Sequence, residues 1–286
     1  MKSIVYILIT VFVCGILISA FPKSTLDPKQ VIEIKSLVDN PDSKLLNESC
    51  LILKKRLNDY ELQNFDMSVN SQQGIIKITF NKKIDIQEIL PLLISNGDIE
   101  FYETYNRADV INSLNKSDQL FSMLNIALWN SQAGNSSSIL GYCKPGLISE
   151  VDSYIAQHYV SKPGEGINFV WSKNLNKNGD CYLFLLKQKS VLGKQQILDV
   201  SVNESNELTI TFNESGASVW QNLSKNNINK HIAIVIDKKV CFAPVLKNEI
   251  KGGKCSISGN FTYKELTQLK SLISNGSLPL DFKIIK

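Results

Sequence analysis

The chain has 286 residues, 43% hydrophobic and 20% charged, which supplies a folded core and excludes wholesale disorder or a collagen-like fibre. At roughly 100–200 residues per domain, this length fits two domains or one domain of two lobes. The formal charge of +4 is uneven: from His231 to Lys286 nine Lys stand against four Asp or Glu, so this stretch carries +5 and the rest −1. These lysines lie singly between apolar residues, not gathered on one element among aromatics, so no nucleic-acid partner is expected. They read first as solvated faces, and second as a weak attraction for anionic lipid or an acidic partner.

At the N-terminus, Met1-Lys2-Ser3 precedes an uncharged run from Ile4 to Phe21, closed by Pro22-Lys23. Eighteen residues at about 1.5 Å each span about 27 Å, close to the hydrocarbon core of a bilayer. Two readings of residues 1–22 stand: an uncleaved signal anchor, which accounts for the full run, and a cleaved signal peptide, for which Ile18-Ser19-Ala20 is a fair cleavage site. Cys14 follows bulky Val13, which argues against a lipoprotein signal. Either reading exports the remainder of the chain, and no second span is expected. Cys50, Cys143, Cys181, Cys241 and Cys255 then occupy a compartment that permits disulfides. Their number is odd, none forms a CxxC, and His158 and His231 are the only imidazoles, so neither metal nor cofactor is expected.

Residues 30–105 alternate between the strand and helix periods. Val31 to Leu37 reads as a strand, and Leu51, Leu53 and Leu57 mark an amphipathic helix. Phe65 to Val69 and Gly74 to Phe80 read as strands meeting at Asn70-Ser71-Gln72-Gln73. Asp85-Ile86-Gln87-Glu88 is an acidic capping box for a helix through Ser95, stopped by Asn96-Gly97, and Ile99 to Tyr105 is a strand. The order βαββαβ predicts a ferredoxin-like base lobe. Residues 106–138 form a connection with one helix around Leu120 to Trp129 and a flexible Gly134-Asn135-Ser136-Ser137-Ser138.

A second α+β lobe follows over 139–286, with return to the base. Ile139 to Cys143, Ile167 to Trp171, Cys181 to Leu186 and Leu208 to Phe212 read as strands. Ser149, with Asp152 three residues on, caps a helix through Tyr159; Ser215 to Leu223 is helical, and His231 to Phe242 is one long β run. Thr262-Tyr263-Lys264-Glu265 is a full capping box for a helix ending at Asn275-Gly276, and Phe282 to Ile285 closes the chain. The fold class is α+β in both lobes.

No phosphate loop, GxSxG elbow or HExxH is present. His158 and His231 read as surface or edge residues, and the acidic pairs Glu100/Glu103 and Glu204/Glu207 as ordinary surface. No catalytic residue is assigned, and the chain is expected not to be an enzyme.

Several C-terminal motifs carry a family resemblance. Asn226-Asn227-Ile228-Asn229-Lys230-His231 runs into Ile232-Ala233-Ile234-Val235-Ile236-Asp237; then come Phe242-Ala243-Pro244, Gly252-Gly253, Ile257-Ser258-Gly259-Asn260-Phe261-Thr262 and Gly276-Ser277-Leu278-Pro279, with Leu192-Gly193, Asp199 and Gly216-Ala217 upstream. This ordered set resembles SecD and fused SecDF proteins. Lys55-Arg56-Leu57-Asn58 and Ile99-Glu100-Phe101-Tyr102-Glu103-Thr104-Tyr105 resemble the base subdomain, especially of the Bacteroidetes fused form. The sequence departs at Lys238 and Asn229, where the family commonly has Gly, and at Asn81-Lys82, which replaces Pro-Gly. By themselves, Gly193, Gly252, Gly253, Gly259, Gly276, Leu278 and Pro279 read as turn and scaffold positions, and Thr262 as a cap.

The resemblance implies a first periplasmic domain of base and head. It implies a non-enzymatic module that binds or guides unfolded or translocating polypeptide in Sec-dependent export, or docks on Sec membrane subunits, and uses no cofactor. Asn106–Ser138 and Lys187–Lys194 are the expected hinges. The alternative is a structural or assembly protein of the envelope that reuses the fold. The expected location is the inner membrane, single-pass, with the bulk in the periplasm; a cleaved leader would give a soluble periplasmic protein. The chain stops at Lys286, where a SecD enters its second membrane helix, so proton-driven pulling is not expected of these residues alone. Cys241 and Cys255 flank the Pro244–Gly253 connection, and a hairpin-like return there would bring them into a disulfide.

Overall fold

The computed structural model describes residues 29–113, 119–126, 137–159, 166–259 and 261–286. The expected anchor or leader at 1–22, residues 127–129 of the expected helix, Gly134–Ser136 and Asn260 lie outside them. Among the described residues no helix is long and apolar enough to cross a membrane.

The base begins with β1 (Gln30–Ser36), which buries Ile32 and Ile34 on alternate positions. Helix α1 (Ser43–Asp59) follows, with the Asp42 side chain accepting from Lys44 N. It turns Leu46, Leu53 and Leu57 inward at helical spacing. Strands β2 (Phe65–Asn70) and β3 (Ile75–Phe80) pair antiparallel. Helix α2 (Ile86–Ile94) is capped by Asp85, which accepts from Gln87 N. Glu88 does not close the expected box; it accepts from Tyr60 Oη at 2.5 Å and pairs with Lys264 at 3.0 Å.

The strand that completes the base is not the expected one. The sheet order is β14-β1-β3-β2, and β14 is Phe282–Ile284, paired with β1 through Ile34/Ile284 and Ser36/Phe282. Strand β4 (Ile99–Glu103) sits instead in a second sheet, between β11 (Ile232–Ile236) and β8 (Leu192–Gly193), with β12 (Lys239–Phe242) beyond β11. Burial explains the exchange. Ile99, Phe101 and Tyr102 are all buried, so β4 needs cover on both faces, whereas β14 buries Phe282, exposes Lys283 and suits a sheet with one wet face.

Strands β5 (Ile139–Cys143), β6 (Ile167–Trp171) and β7 (Cys181–Lys187) form a third sheet, β5-β7-β6. On one face it packs α3 (Arg107–Ser113), α4 (Leu120–Met123) and α5 (Ile148–His158) around Leu124, Val151 and Leu183. On the other, Val170, Phe184 and Leu186 meet Tyr102, Ala233 and Val235 of the second sheet. Ser149 lies inside α5 and does not cap it. The 3-10 turn Pro145–Leu147 feeds the helix directly, and Asp152 accepts from the Trp171 indole at 2.7 Å.

Strand β8 (Leu192–Gly193) pairs with β4 at Glu100/Gly193 and Phe101/Leu192. The expected hinge Lys187–Lys194 is therefore tied down: Lys187 binds Glu103 at 2.8 Å and Val191 N donates to Phe101 O at 2.8 Å. Strands β9 (Ile197–Val202), β10 (Leu208–Phe212) and β13 (Lys254–Ile257) form a fourth sheet, β13-β10-β9. Strand β9 escapes the sequence pattern because Leu198 faces out, 71% exposed. Helix α6 (Glu214–Asn226) places Trp220 against Phe101 and Phe212, with ring centroids 5.9 and 5.6 Å away. Full burial of such a ring stabilises by about 1.5–3 kcal/mol.

The expected run His231–Phe242 is two strands, β11 (Ile232–Ile236) and β12 (Lys239–Phe242). Asp237 and Lys238 separate them at φ 50° and 61°, the type I′ geometry whose twist suits a two-residue hairpin. Helix α7 (Tyr263–Asn275) carries the expected box: Glu265 N donates to Thr262 Oγ1 and Thr262 N to Glu265 Oε2. Its Leu266, Leu269 and Ile273 enter the core beneath the second and fourth sheets, and Leu272 enters the base core, so one helix joins both.

Candidate functional site

The β11–β12 turn docks on the loop between α2 and β4. The Asp237 carboxylate accepts from Gly97 N at 2.8 Å, Asp98 N at 3.0 Å and the Ser95 hydroxyl, while Asp237 N donates to Asp98 O at 3.0 Å. Beneath this loop lies Arg56, fully buried. Its guanidinium donates to Leu92 O at 3.2 Å, Ser95 O at 2.6 Å, Asn96 O at 2.6 Å and Gly276 O at 2.7 Å. Burial lowers the Arg56 pKa to about 10, opposed by the charge of Asp237, so the cation persists at neutral pH. A Cβ on Gly97 would lie 2.7 Å from Arg56 Nη2, which adds a second reason for glycine beyond its φ of 78°. Ser271 Oγ donates to Arg56 O at 2.7 Å, and Leu278 N to Asn96 O at 3.0 Å. This junction holds segments together and offers no nucleophile beside a base.

A small cleft opens between β12, the entry of α7 and the segment after β6, with a volume of about 100 Å³. Its apolar side is Cys241, Phe242, Phe261 and Leu269, with Lys173 and Glu265 also lining it. The rings of Phe242 and Phe261 meet edge to face at 5.4 Å and 80°. Burial pushes the Cys241 thiol up to about 11, so it stands as an apolar wall and not as a nucleophile. The space fits one side chain. A larger cleft of about 360 Å³ runs along Asp98–Glu100 and Ser190–Gln196 and is mostly polar. Lys194, at its edge, is committed to Ile273 O and Ser274 O at the end of α7. Among the described residues no group of three His, Cys, Asp or Glu is placed to hold a metal ion.

Residues 172–280, which contain the Asp237 turn and the Phe242/Phe261 cleft, match the family described as SecDF, P1 head subdomain. Over these residues the chain is similar to the head subdomain of the SecD/SecDF periplasmic domain. Its sequence is similar to the protein translocase subunit SecD of Rickettsia conorii, 38% identical over 109 residues, 37% of this chain and 21% of that one. The SecD of Calditerrivibrio nitroreducens is 34% identical over 108 residues, 36% and 21% of the two chains. The matched stretch thus spans about a fifth of these curated relatives. In fold, the chain is similar to SecDF in its super-membrane-facing form, with a TM-score of 0.52 and 18% identity over 91% of this chain and 30% of the other. It is also similar to a solved chain of a membrane component SecDF that enhances protein export, with a TM-score of 0.50 and 17% identity over 90% of this chain and 98% of the other.

The residues singled out from sequence do not converge on one site. Asp237, Gly276 and Leu278 meet at the Arg56 junction, with Pro279 exposed just beyond. Gly193 belongs to β8. Ala243 O receives His231 Nδ1 at 2.7 Å and Pro244 O receives Ile232 N at 3.1 Å, securing the exit from β12. Gly252 and Gly253 form the turn into β13, where a Cβ on Gly253 would meet that of Ala217 at 2.5 Å. Gly259 lies against the ring of Phe261, and Thr262 caps α7. His158 Nδ1 is within 2.9 Å of Tyr154 O, on an exposed helix face.

The expected Cys241–Cys255 bridge is not formed. Both thiols are free, and the hairpin-like return is absent because β12 lies in the second sheet while β13 pairs with β10 in the fourth. Sequence reasoning did not single out Phe242 as a cleft wall; its partner Phe261, about twenty residues on, is brought to it only by the turn into α7.

Proposed function

We propose that this chain is a non-enzymatic, periplasm-facing module of the Sec export system that holds unfolded or translocating polypeptide, tethered to the cytoplasmic membrane through its N-terminal segment. The match of residues 172–280 to the SecDF head subdomain carries the reading. The relatives bear the name of protein translocase subunits, and their export role comes to this chain as part of the proposal. The Phe242/Phe261 cleft supports it physically: it accepts one apolar side chain of an extended segment, and such an anchor gives weak, sequence-tolerant affinity. A passive holder biases movement only by the difference in affinity between bound and free states.

The test is binding of a labelled, permanently unfolded polypeptide to the full chain in detergent, followed by anisotropy without nucleotide or metal. Weak saturable binding is expected, reduced about 2- to 13-fold by Phe261→Ala, as loss of an aromatic contact worth about 0.5–1.5 kcal/mol would give. No binding by the wild type, together with in-cell crosslinks only to proteins outside export, would overturn it in favour of an envelope assembly role.

A further inference from the structure

Cys143 and Cys181 stand directly opposite each other across the antiparallel pair β5–β7. Both are free thiols, 2% and 5% exposed, and both face the core formed with Leu124, Val151 and Leu183. The neighbouring hydrogen bonds define their rung. Tyr142 N donates away from β7 to Leu124 O at 2.8 Å, and Tyr142 O accepts from Asn125 Nδ2 at 3.2 Å. Tyr182 N donates away from β5 to Ser172 Oγ at 3.0 Å, and Tyr182 O accepts from Ser172 N at 2.8 Å. Tyr142/Tyr182 is therefore a non-bonded rung, and the adjacent Cys143/Cys181 rung is a bonded one. Opposed Cα atoms on such a rung are about 5.5 Å apart, inside the disulfide window of about 4.4–6.8 Å. Just beyond this rung, Lys144 and Asp180 form an ion pair at 2.8 Å at the mouth of the loop.

We propose that Cys143 and Cys181 close to a cross-strand disulfide by exchange with a disulfide oxidant, clamping the loop 144–180 that carries α5 and β6. One thiolate attacks a sulfur of the oxidant, giving a mixed disulfide and releasing one thiolate of the oxidant. The second cysteine, deprotonated, attacks the mixed disulfide, forms the Cys143–Cys181 bond and releases the other. Two electrons pass to the oxidant, and the two released thiolates take up the two protons. Opposed Cβ atoms on a bonded rung sit near the wide end of about 4.5–5.5 Å, and closure brings them to about 4 Å. The bond is consequently strained and easily reduced, the character of a labile disulfide. Burial raises the Cys143 thiol to about 11, with the adjacent Cys181 as a further cause, so closure accompanies folding or local opening of the rung.

The deciding experiment refolds the reduced full chain in mixed reduced and oxidised glutathione, alkylates free thiols in acid-quenched samples and digests without reductant. A linked peptide joining Cys143 to Cys181, lighter by two hydrogens, is expected, with Cys14, Cys50, Cys241 and Cys255 alkylated. Alkylation of both Cys143 and Cys181 in refolded, protease-resistant protein overturns the proposal, as does either joined mainly to another cysteine. The same mapping on acid-trapped cells separates this inference from the periplasmic reading. A bond formed with glutathione but absent in cells upholds the pair and overturns that placement instead.

Discussion

Two arginines are buried in this molecule, Arg56 in the base and Arg107 beside the third sheet, at 0% and 3% exposure. Both donate to main-chain carbonyls, and burial lowers the pKa of each. Arg56 receives oxygens 36 to 220 residues away in sequence. Arg107 reaches Leu140 O at 3.1 Å and Ile126 O, only 33 and 19 residues away. The first ties the end of α7 to α1 and α2, and with Asp237 above it joins head to base. The second closes a local excursion of the chain. A buried cation costs several kcal/mol to desolvate, and here the return is loop closure, long-range in one case and short-range in the other.

The largest expected effect is therefore from Arg56→Ala, which strands the buried carbonyl of Leu92 and the part-buried carbonyls of Ser95, Asn96 and Gly276, at about 1–3 kcal/mol for each that water does not reach. We expect a loss of at least about 4 kcal/mol in urea unfolding, against a total of roughly 5–15 kcal/mol for a domain. Arg56→Lys, with a point charge in place of a fork, should recover less than half of it. A loss below about 1 kcal/mol would remove Arg56 from its central place. Arg107→Ala should cost about 2 kcal/mol and raise amide exchange only around 105–143 and 167–187. Exchange spreading into the base would show that the two arginines are not separable.

Asp237→Asn tests the contact above Arg56. Asparagine keeps an acceptor for Gly97 N and Asp98 N and tolerates the positive φ of the turn. Exchanging charged for neutral hydrogen bonds should then cost about 1–2 kcal/mol, seen as a lower urea midpoint with unchanged slope. Asp237→Ala should cost more.

The smallest effect sought is a pH dependence at the edge of the base. Glu88 is held below its ordinary 4.5, first by the Tyr60 hydroxyl and then by Lys264. A depressed carboxylate stabilises fully above its unfolded value and loses that contribution as pH falls through the folded one. Tyr60→Phe should therefore be less stable than wild type above about pH 4.5 and converge with it in more acidic solution. A constant difference down to the acid limb would mean that Tyr60 acts by packing alone.

Much of the fold was legible in the sequence because its determinants are local. Thr262 and Glu265 cap a helix from within four residues, Asp85 does the same for α2, and Leu46, Leu53 and Leu57 give their helix its inner face. The motifs of the last hundred residues were enough to draw the SecD resemblance, which the match of 172–280 bears out. The cleft was not legible, since Phe242 and Phe261 are ordinary apolar residues until the turn into α7 brings their rings together.

The sequence alone determined most of the helices and strands, though not α3, β8, β9 or the break between β11 and β12, since a period of 2 or 3.6 and a cap are complete within about a dozen residues. Only the tertiary structure decided which strand joins which sheet. Ile99–Glu103 and Phe282–Ile284 both read as β, yet the first fills a slot covered on both faces and the second an edge wet on one. The same holds for the cysteines: Cys241 and Cys255 lie fourteen positions apart and fall in different sheets, whereas Cys143 and Cys181 meet across thirty-eight. Strand pairing depends on what remains to cover each face once the rest of the chain has packed, and no local window of sequence contains that information.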